Sequence, residues 1–505
     1  MKRRSRAARA VRAFQKILVA NRGEIAVRVC RTLRAMKIPS VAVYSEADRG
    51  APHVRAADEA VAIGPAPPAQ SYLDMDAILG AARRAGADGI HPGYGFLSEN
   101  AAFARRCSEA GVVFIGPSAD SMAQLGDKAA ARRTAAECRV PLVPGAEDVA
   151  GADRARKEAA RIGYPVLLKA AGGGGGRGMR LVRDPEEMDA AFDAARREAG
   201  AAFGDDRLLL ERYVHPARHV EVQILADGED AIALGERECS LQRRHQKLIE
   251  ESPSVAIGAK TRSAMQDAAA SLARAAGYAG AMTAEFLLGP EERFYFLEVN
   301  TRLQVEHPVT EMRSGVDLVR AQIAVAAGES AADSLGAQAP PRVTGHAIEA
   351  RLLAEDAYHG YLPQTGRILR LDWPEGEGLR IDAGVEAGMT ITSHYDSLLA
   401  KVIAFGESRE SARRRLVEAL RATVLLGVVT NQAFLIDLLE GEDFRTGETF
   451  THTVESRAWE GPLEAPDLAL AAATAILDRP RTAAGDEEER DRYSPWQRLG
   501  PWGRA

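Results

Sequence analysis

Short apolar runs alternate with amphipathic helical patterns over roughly the first 116 residues of the chain. This spacing predicts strands at 16–20, 41–44, 89–91 and 112–115, and helices at 24–35, from Ser71 and from Ser98. Strands that alternate with helices form βαβ units, so we expect a doubly wound parallel sheet. The turn after the first strand reads NRGE and lacks the GxGxxG pattern, so it supports a dinucleotide site only weakly.

The pattern changes to one of mostly alternating strands after residue 140. A small α+β module with strands at 165–171, 179–183 and 208–214 comes first, and strands at 219–226, 231–235, 283–288 and 294–300 follow. A hairpin turn is predicted at 289–292 because Gly and Pro interrupt the pattern there. Further strands near 345–354, 367–371 and 400–405 precede a helix at 408–422. We therefore expect an α/β region followed by α+β and mostly antiparallel β regions.

Length and composition narrow the class of protein. A chain of 505 residues is expected to form two to four domains. The net charge of -6 gives no general affinity for nucleic acid or for an anionic membrane. Four scattered cysteines, without a CxxC pair, argue against disulfides and thiolate metal sites. No apolar run approaches the ~20 residues of a membrane helix. We expect a cytoplasmic protein that binds neither nucleic acid nor membrane.

The two ends of the chain differ from the rest. Residues 1–13 are basic and lack acids, which predicts a disordered extension, although an organellar transit peptide has a similar composition. Residues 458–505 are rich in Pro, Ala and acidic residues and are typical of a connector.

A lysine and a run of five glycines carry the strongest chemical signal. Lys169 ends a predicted strand, and glycines 172–176 join that strand to the next. Glycines let backbone N–H groups approach phosphate oxygens and let a segment hinge. No GK[ST] follows, so the pattern is not a Walker A loop. A mobile lid over a nucleotide and a plain flexible linker are the two interpretations, and the flanking strands favour the lid.

Polar residues occupy every second position from Glu298 to Glu306, in the sequence EVNTRLQVE. An extended chain would place all five polar side chains on one face. Glu285, on the predicted partner strand, would lie across from Glu298. Two carboxylates and an amide oxygen suit Mg²⁺ or Mn²⁺, whereas the alternative is a solvated strand face.

A dense basic cluster lies at residues 236–247. Its Gln242, His245 and Lys247 suit a phosphate or a small oxyanion, although a solvated surface would look the same. His219 stands where a ribose or phosphate contact is possible, but a lone histidine can also be structural.

Together these segments resemble the biotin carboxylases of the ATP-grasp superfamily, over residues 14–457. The resemblance rests on VANRGEIAVR, HPGYGFLSEN, GDKAAAR, LLKAAGGGGGRGMR, ERYVHPARHVEVQ, CSLQRRHQK, EFLLGPEERFYFLEVNTRLQVEHPVTE, GHAIEAR and HYDSLLAK. It implies an N-terminal pre-ATP-grasp domain at 14–126 and an ATP-grasp domain at 127–340 with its lid at 141–214. A mostly antiparallel C-terminal domain at 341–457 would complete the enzyme.

The resemblance also implies a role for each matching residue. Lys128 and Lys169 would contact the phosphates of ATP, and the lid over them would include Gly174, Gly175 and Gly176. The adenine would lie against Glu211, Arg212, Tyr213 and Val214, and the ribose and phosphates would be held by His219, Gln242 and His245. The metal ligands would be Glu285, Glu298 and Asn300. Bicarbonate would be held by Lys247, Arg302, Gln304 and the backbone of Val305, with Glu306 as its general base. Biotin would be received by Arg351, Tyr94 and Gly95. Arg212 replaces a lysine that some relatives have.

The implied reaction is ATP- and bicarbonate-dependent carboxylation of biotin through carboxyphosphate, in an acyl-CoA carboxylase. No region of the chain resembles a biotin carrier or a carboxyltransferase, so both are expected on separate chains, the alternative being that they were removed from this one. A homodimer or a larger complex is expected. Two alternatives are a ligase of the carbamoyl-phosphate synthetase type and a non-catalytic scaffold. The scaffold would have lost the lid glycines or metal carboxylates, and the chain has kept both.

Overall fold

A computed structural model describes residues 11–147, 149–170, 179–203, 205–244, 246–336 and 341–461. The glycines at 174–176, His245 and most of the two terminal segments lie outside these ranges.

The N-terminal region is a parallel sheet flanked by helices. Its elements are β1 (Ile17–Val19), α1 (Gly23–Ala35), β2 (Ser40–Ser45), α2 (Pro52–Ala56), β3 (Glu59–Gly64), α3 (Met75–Ala85), β4 (Gly89–His91), α4 (Ala101–Glu109) and β5 (Val113–Phe114). The strands are ordered β3-β2-β1-β4-β5 and all pairs are parallel. The predicted doubly wound sheet is thereby confirmed. Helix α1 forms because Ile25, Val29 and Leu33 recur on one buried face.

Two helices lead into a small module. They are α5 (Ala119–Gly126) and α6 (Lys128–Glu137), and the module contains β6 (Gly145–Ala146), α7 (Ala152–Ile162), β7 (Val166–Ala170), β8 (Met179–Val182), α8 (Met188–Phe203) and β9 (Leu208–Arg212). Its antiparallel sheet has the order β6-β9-β7-β8. Strands β7 and β8 flank the glycine run, as predicted.

The central region builds most of a large antiparallel sheet. Its elements are β10 (Arg218–Asp227), β11 (Ala231–Arg243), β12 (Gln246–Ser252), α9 (Ala259–Ala275), β13 (Ala279–Leu288), β14 (Phe294–Asn300), α10 (His307–Ser314), α11 (Leu318–Ala326) and α12 (Ala331–Ser334). Helix α9 packs on the sheet through Met265, Ala269 and Leu272, which are buried against apolar residues of β10 and β13.

The C-terminal region adds strands to the same sheet. It contains β15 (His346–Leu353), β16 (Glu355–Asp356), β17 (Leu362–Pro363), β18 (Gly366–Arg367), β19 (Arg370–Asp372), β20 (Leu379–Ala383), β21 (Thr390–Ile391), β22 (Leu398–Gly406), α13 (Arg409–Ala422), β23 (Val424–Leu426), α14 (Gln432–Glu440) and α15 (Glu442–Thr446). The large sheet has eight strands in the order β14-β13-β10-β11-β12-β15-β22-β20. It therefore runs without a break across the domain limit predicted at 340.

One local prediction is wrong. The segment 298–306 is extended only as far as Asn300, where β14 ends, and residues 301–306 form a turn. Glu306 then occupies the N-cap position of α10 without a side-chain capping hydrogen bond, and the first turn of the helix contains Pro308. Proline is favoured in the first turn of a helix. Pro308 therefore marks the start of α10 directly after the alternating segment 298–306.

In the described part of the chain, no helix combines the length and the apolar character needed to span a bilayer.

Candidate active site

A buried lysine joins three carboxylates on one face of the large sheet. The Lys247 ammonium donates to Glu221 at 2.6 Å, to Glu306 at 2.7 Å and to Glu285 at 3.0 Å. Burial alone would lower the pKa of Lys247, but the three anions raise it well above its ordinary value, so the ammonium stays charged.

The strand register explains why acidic residues meet there. Glu221 of β10 lies opposite Glu285 of β13, and Glu285 lies opposite Glu298 of β14. Directly paired residues point to the same face of a sheet, so the three carboxyl groups form a row. The predicted pairing of Glu285 with Glu298 is confirmed by this register.

Glu306 lies at the N-terminus of α10 between two cations. Besides Lys247, the Arg351 guanidinium donates to its second carboxylate oxygen at 2.9 Å. Burial alone would raise the pKa of Glu306, but Lys247 and Arg351 hold it well below its usual range. Arg351 also donates to Glu250 at 2.5 Å. Glu306 is therefore a carboxylate in this state of the site, and each of its oxygens has a cationic partner.

Arg302 lies beside this cluster. Its guanidinium donates to Glu99 at 2.9 Å, to the Gln304 side chain at 3.0 Å and to Asn300 Oδ1 at 3.1 Å. Gln304 and Asn300 in turn donate to Glu285, at 3.2 Å and 2.8 Å. The four predicted residues from Asn300 to Glu306 thus converge through the turn, although the extended geometry proposed for them is wrong.

The three predicted metal ligands lie close to further charged groups. Glu298 pairs with Lys128 at 3.2 Å, and Glu285 pairs with the His219 ring at 3.1 Å. Burial would raise the pKa of Glu285, but Lys247 and His219 hold it far below normal. Glu285, Glu298 and the Asn300 amide oxygen are hard oxygen donors, and they fit Mg²⁺ or Mn²⁺.

Other predicted nucleotide contacts lie on the small module, on the segment that follows it and on β11 of the large sheet. Lys169 pairs with Glu211, which also accepts from Arg132 at 2.6 Å. Arg212 donates to the Ile162 carbonyl at 2.7 Å. The Tyr213 ring stacks on His215, Val214 lies beside Gly289, and Gln242 is buried on β11 opposite Lys247.

Two of the residues predicted to receive biotin, Tyr94 and Gly95, follow β4 of the N-terminal sheet, whereas Arg351 lies on β15. Tyr94 donates through its hydroxyl to Glu24, and its carbonyl accepts from Asn21 at 2.7 Å. Gly95 has a φ of 68°, a left-handed conformation that glycine adopts readily. The Val305 carbonyl accepts from Lys401 at 2.9 Å.

Several buried residues of the site were missed by sequence reasoning. The buried ones are Glu24, Glu221, Arg237, Glu250, Glu349 and Lys401, and the exposed Glu99, which accepts from Arg302, was missed as well. The alternation of His219, Glu221 and Gln223 on one strand is the signal that could have found Glu221. Contacts such as Lys401 with Val305 join residues 96 positions apart, which no local pattern reveals.

Comparisons with known protein families cover nearly the whole described chain. The family described as "Biotin carboxylase, N-terminal domain" matches residues 13–122. The family "Carbamoyl-phosphate synthase L chain, ATP binding domain" matches 127–333, and "Biotin carboxylase C-terminal domain" matches 349–456.

Individual relatives agree with these matches. The chain is 46% identical to "Biotin carboxylase" of Haemophilus influenzae, over 88% of this chain and 99% of the relative. It is also 46% identical to "Methylcrotonoyl-CoA carboxylase subunit alpha, mitochondrial" of rice, over 97% of this chain and 68% of the relative. With the human propionyl-CoA carboxylase alpha chain the identity is 46%, over 87% of this chain and 60% of the relative.

Solved structures show the same fold. A biotin carboxylase from Campylobacter jejuni in complex with β,γ-ATP superposes with a TM-score of 0.83 at 42% identity, covering 88% of this chain and 99% of that one. The biotin carboxylase domain dimer of Hydrogenobacter thermophilus 2-oxoglutarate carboxylase, with MgADP, ADP and bicarbonate, has a TM-score of 0.81 at 43% identity. It covers 88% of this chain and 97% of that one.

Proposed function

The chain belongs to the biotin carboxylase family, an ATP-dependent ligase family, and on that premise we propose that it carboxylates biotin with ATP and bicarbonate. The observation that carries the proposal is Glu306, a carboxylate held between Lys247 and Arg351 beside the polar turn from Asn300 to Gln304. This arrangement provides a base, cations for an anionic substrate, and a separate cation for a second substrate.

Bicarbonate would bind beside Lys247, Arg302, Gln304 and the Val305 backbone. Bicarbonate is a weak nucleophile with one remaining proton. A carboxylate must take that proton while the bicarbonate oxygen attacks the γ-phosphorus of ATP. Glu306, whose pKa is held low by Lys247 and Arg351, would act as that base. Lys247 and Arg302 would offset the repulsion between two anions, and carboxyphosphate would form.

Mg²⁺ or Mn²⁺ would be held by Glu285, Glu298 and Asn300. When bound, the metal neutralises charge on the nucleotide phosphates. Lys128 and Lys169 would contact the phosphates, and Glu211 to Val214, His219, Gln242 and His245 the nucleoside. The ion pairs that Lys128 and Lys169 now make with Glu298 and Glu211 support this role, because a phosphate can replace these acidic partners. The glycines at 174–176, which lie outside the described residues, would exclude water from carboxyphosphate.

Arg351 would bind the ureido oxygen of biotin, with Tyr94 and Gly95 lining the same pocket. Removal of the N1 proton moves negative charge to that oxygen, and a guanidinium stabilises it. The freed phosphate is the expected base. Because Arg351 now contacts Glu306, biotin and Glu306 would compete for this cation.

We also propose that the chain supplies the first half-reaction of an acyl-CoA carboxylase. The alignments with two methylcrotonoyl-CoA carboxylase alpha subunits cover 97% of this chain, whereas that with the Haemophilus enzyme covers 88%. Other acyl-CoA carboxylase alpha chains align over 88% and 87% of this chain, so it is the number of such chains among the relatives that favours an acyl-CoA carboxylase. The partners would be a biotin carboxyl carrier and a carboxyltransferase, and the oligomer a homodimer or a larger complex. A cytoplasmic location stays a proposal, since relatives include bacterial, mitochondrial and chloroplast proteins.

ADP release with free biotin, bicarbonate and Mg²⁺ tests the proposal. We expect bicarbonate and biotin together to stimulate turnover, and Glu306→Gln to lower the rate by about 10²–10⁴-fold, as loss of a general base does. Arg302→Ala should also abolish stimulation by bicarbonate. Arg293→Ala is the control, because Arg293 is exposed and pairs only with exposed Glu291 among the contacts described. ATP turnover indifferent to both substrates would contradict the proposal, and turnover that requires ammonia instead of biotin would favour the carbamoyl-phosphate synthetase type.

A further inference from the structure

A fully buried lysine on β22 contacts the turn that carries the proposed base. The Lys401 side chain is 0% exposed, and its ammonium donates to the Val305 carbonyl at 2.9 Å. That carbonyl belongs to the peptide bond between Val305 and Glu306. Because a peptide group is planar, a fixed carbonyl also fixes the Glu306 amide and the direction in which its side chain leaves the backbone.

The charge of Lys401 is balanced by residues from two other parts of the fold. Glu24 of α1 lies 3.3 Å from the ammonium, and Asp382 of β20 lies 3.9 Å from it. The ring centre of Tyr94 is 5.9 Å away, and the Tyr94 hydroxyl bonds to Glu24. An unpaired ammonium would be very unfavourable at this depth, so these anions are what allow a lysine there.

Lys401 and Arg351 hold the same turn from neighbouring strands. They lie directly opposite each other on β22 and β15, so both point to the face on which α10 packs. Arg351 contacts the Glu306 carboxylate, and Lys401 contacts the carbonyl just before it. The turn is thus held once by its side chain and once by its backbone.

We propose that Lys401 is a positioning residue that holds the Val305–Glu306 peptide in the orientation from which Glu306 meets bicarbonate. This role rests on the proposed function of the site. Lys401 contacts no substrate in it and acts through Glu306. A compact ammonium suits the task, because a planar guanidinium would occupy more space between Glu24, Asp382 and the carbonyl.

The experiment compares ADP release with bicarbonate and free biotin in the wild type, Lys401→Met and Lys401→Arg. For Lys401→Met we expect kcat to fall about 100-fold, the effect of misplacing a catalytic group by about 1 Å, while the KM for ATP changes by less than about twofold. Lys401→Arg should retain the balance of charge and recover part of the rate. Arg409→Met is the matched control: it removes a cation paired with buried Glu251 at 2.6 Å, and it should leave kcat unchanged.

The combination with Glu306→Gln separates positioning from general damage. If Lys401 acts through Glu306, Lys401→Met should slow the Glu306→Gln enzyme by no more than about threefold, because coupled residues are not additive. An equal loss in both backgrounds would contradict the role, and so would a Lys401→Met enzyme as fast as the wild type. Should Lys401→Met not fold, a folded Lys401→Arg enzyme with a wild-type rate or an additive loss would contradict it equally. An inactive wild type would instead contradict the proposed function.

Discussion

At the scale of single residues, the main feature of the site is that a few cations each neutralise more than one carboxylate. Lys247 serves Glu221, Glu285 and Glu306, and Arg351 serves Glu306 and Glu250. Each substrate anion that enters must take a share of a cation that a carboxylate now holds. Substrate binding and the ionisation of these carboxylates are therefore linked.

Glu250 should make stability depend on pH. Burial, opposed by Arg351 and reinforced by Glu306, raises the pKa of Glu250 to about 7, and Glu250 also lies opposite buried Glu349. A carboxyl with a raised folded pKa stabilises the fold at low pH, and that stability is lost as pH rises through the folded value. Glu250→Gln should therefore gain roughly 2–3 kcal/mol relative to the wild type between pH 5 and pH 8.

Thermal unfolding of both proteins at pH 5, 6, 7 and 8 measures this difference. Glu410→Gln is a control, because Glu410 is on the surface and pairs with Arg413 in the next helical turn. A difference between wild type and Glu250→Gln that is constant with pH would show that Glu250 does not titrate in this range.

Lys247, Arg302, Glu306 and Arg351 were all selected from the sequence, and the structure brings them together. Their roles stay predictions. Glu221, Arg237 and Lys401 were missed because each gains its importance from a partner distant in sequence, and burial of a charge cannot be read from the residue that carries it.

At the scale of elements, helix α10 is held to the sheet by polar contacts as well as by apolar packing. Arg237 of β11 is 0% exposed and donates to Glu221 at 2.5 Å, Gln223 at 2.8 Å, Thr310 at 3.0 Å and Thr283 at 3.1 Å. One guanidinium thus joins β10, β11, β13 and α10. The alternating pattern predicted β10 and β13, but it ended β11 at residue 235 instead of Arg243 and so left Arg237 outside the strand. It also could not show that the polar positions of one strand are satisfied by three other elements.

Arg237→Met should destabilise the protein by about 3–5 kcal/mol, because it leaves Glu221 buried with one cation fewer. The midpoint of unfolding measures the loss. Arg161→Met removes an exposed ion pair with Glu158 and should change stability by less than about 1 kcal/mol. Similar effects of the two substitutions would contradict a structural role for the buried network.

The wrong prediction for residues 301–306 belongs to this scale too. Alternation of polar and apolar residues is equally compatible with a strand and with a turn whose side chains point to one site. Pro308 was the available signal, since it favours the start of a helix.

At the scale of the whole molecule, the N-terminal region contacts the C-terminal one closely at Gly384, which follows β20. A Cβ atom added there would lie 2.4 Å from the backbone nitrogen of Glu24 and 2.7 Å from Gly23. Glu24 is the partner of Lys401 and Tyr94, so the spacing between these regions affects the site directly.

Gly384→Ala should therefore lower both stability, by about 1–3 kcal/mol, and the biotin-dependent rate. Gly376→Ala is the matched control, because an added Cβ there has no neighbouring atom within 4 Å. Thermal unfolding and ADP release measure the two effects. Loss of stability without loss of rate would show that the site tolerates movement of α1.

The regions along the chain were predictable from their patterns, but the pairing between them was not. Strand β12 was not predicted, although it is the strand that joins the central region to β15, and only its first two residues belong to the basic cluster at 236–247.

That pairing has a consequence for work with parts of the chain. A fragment that starts near residue 341 would carry β15 without β12, and so would present a bare row of backbone N–H and C=O groups. Such an edge pairs with other copies, and Ile348, Ala350 and Leu352 add apolar surface beside it. We expect this fragment to aggregate, and attempts to exchange C-terminal regions between relatives to succeed only when β12 is exchanged with them.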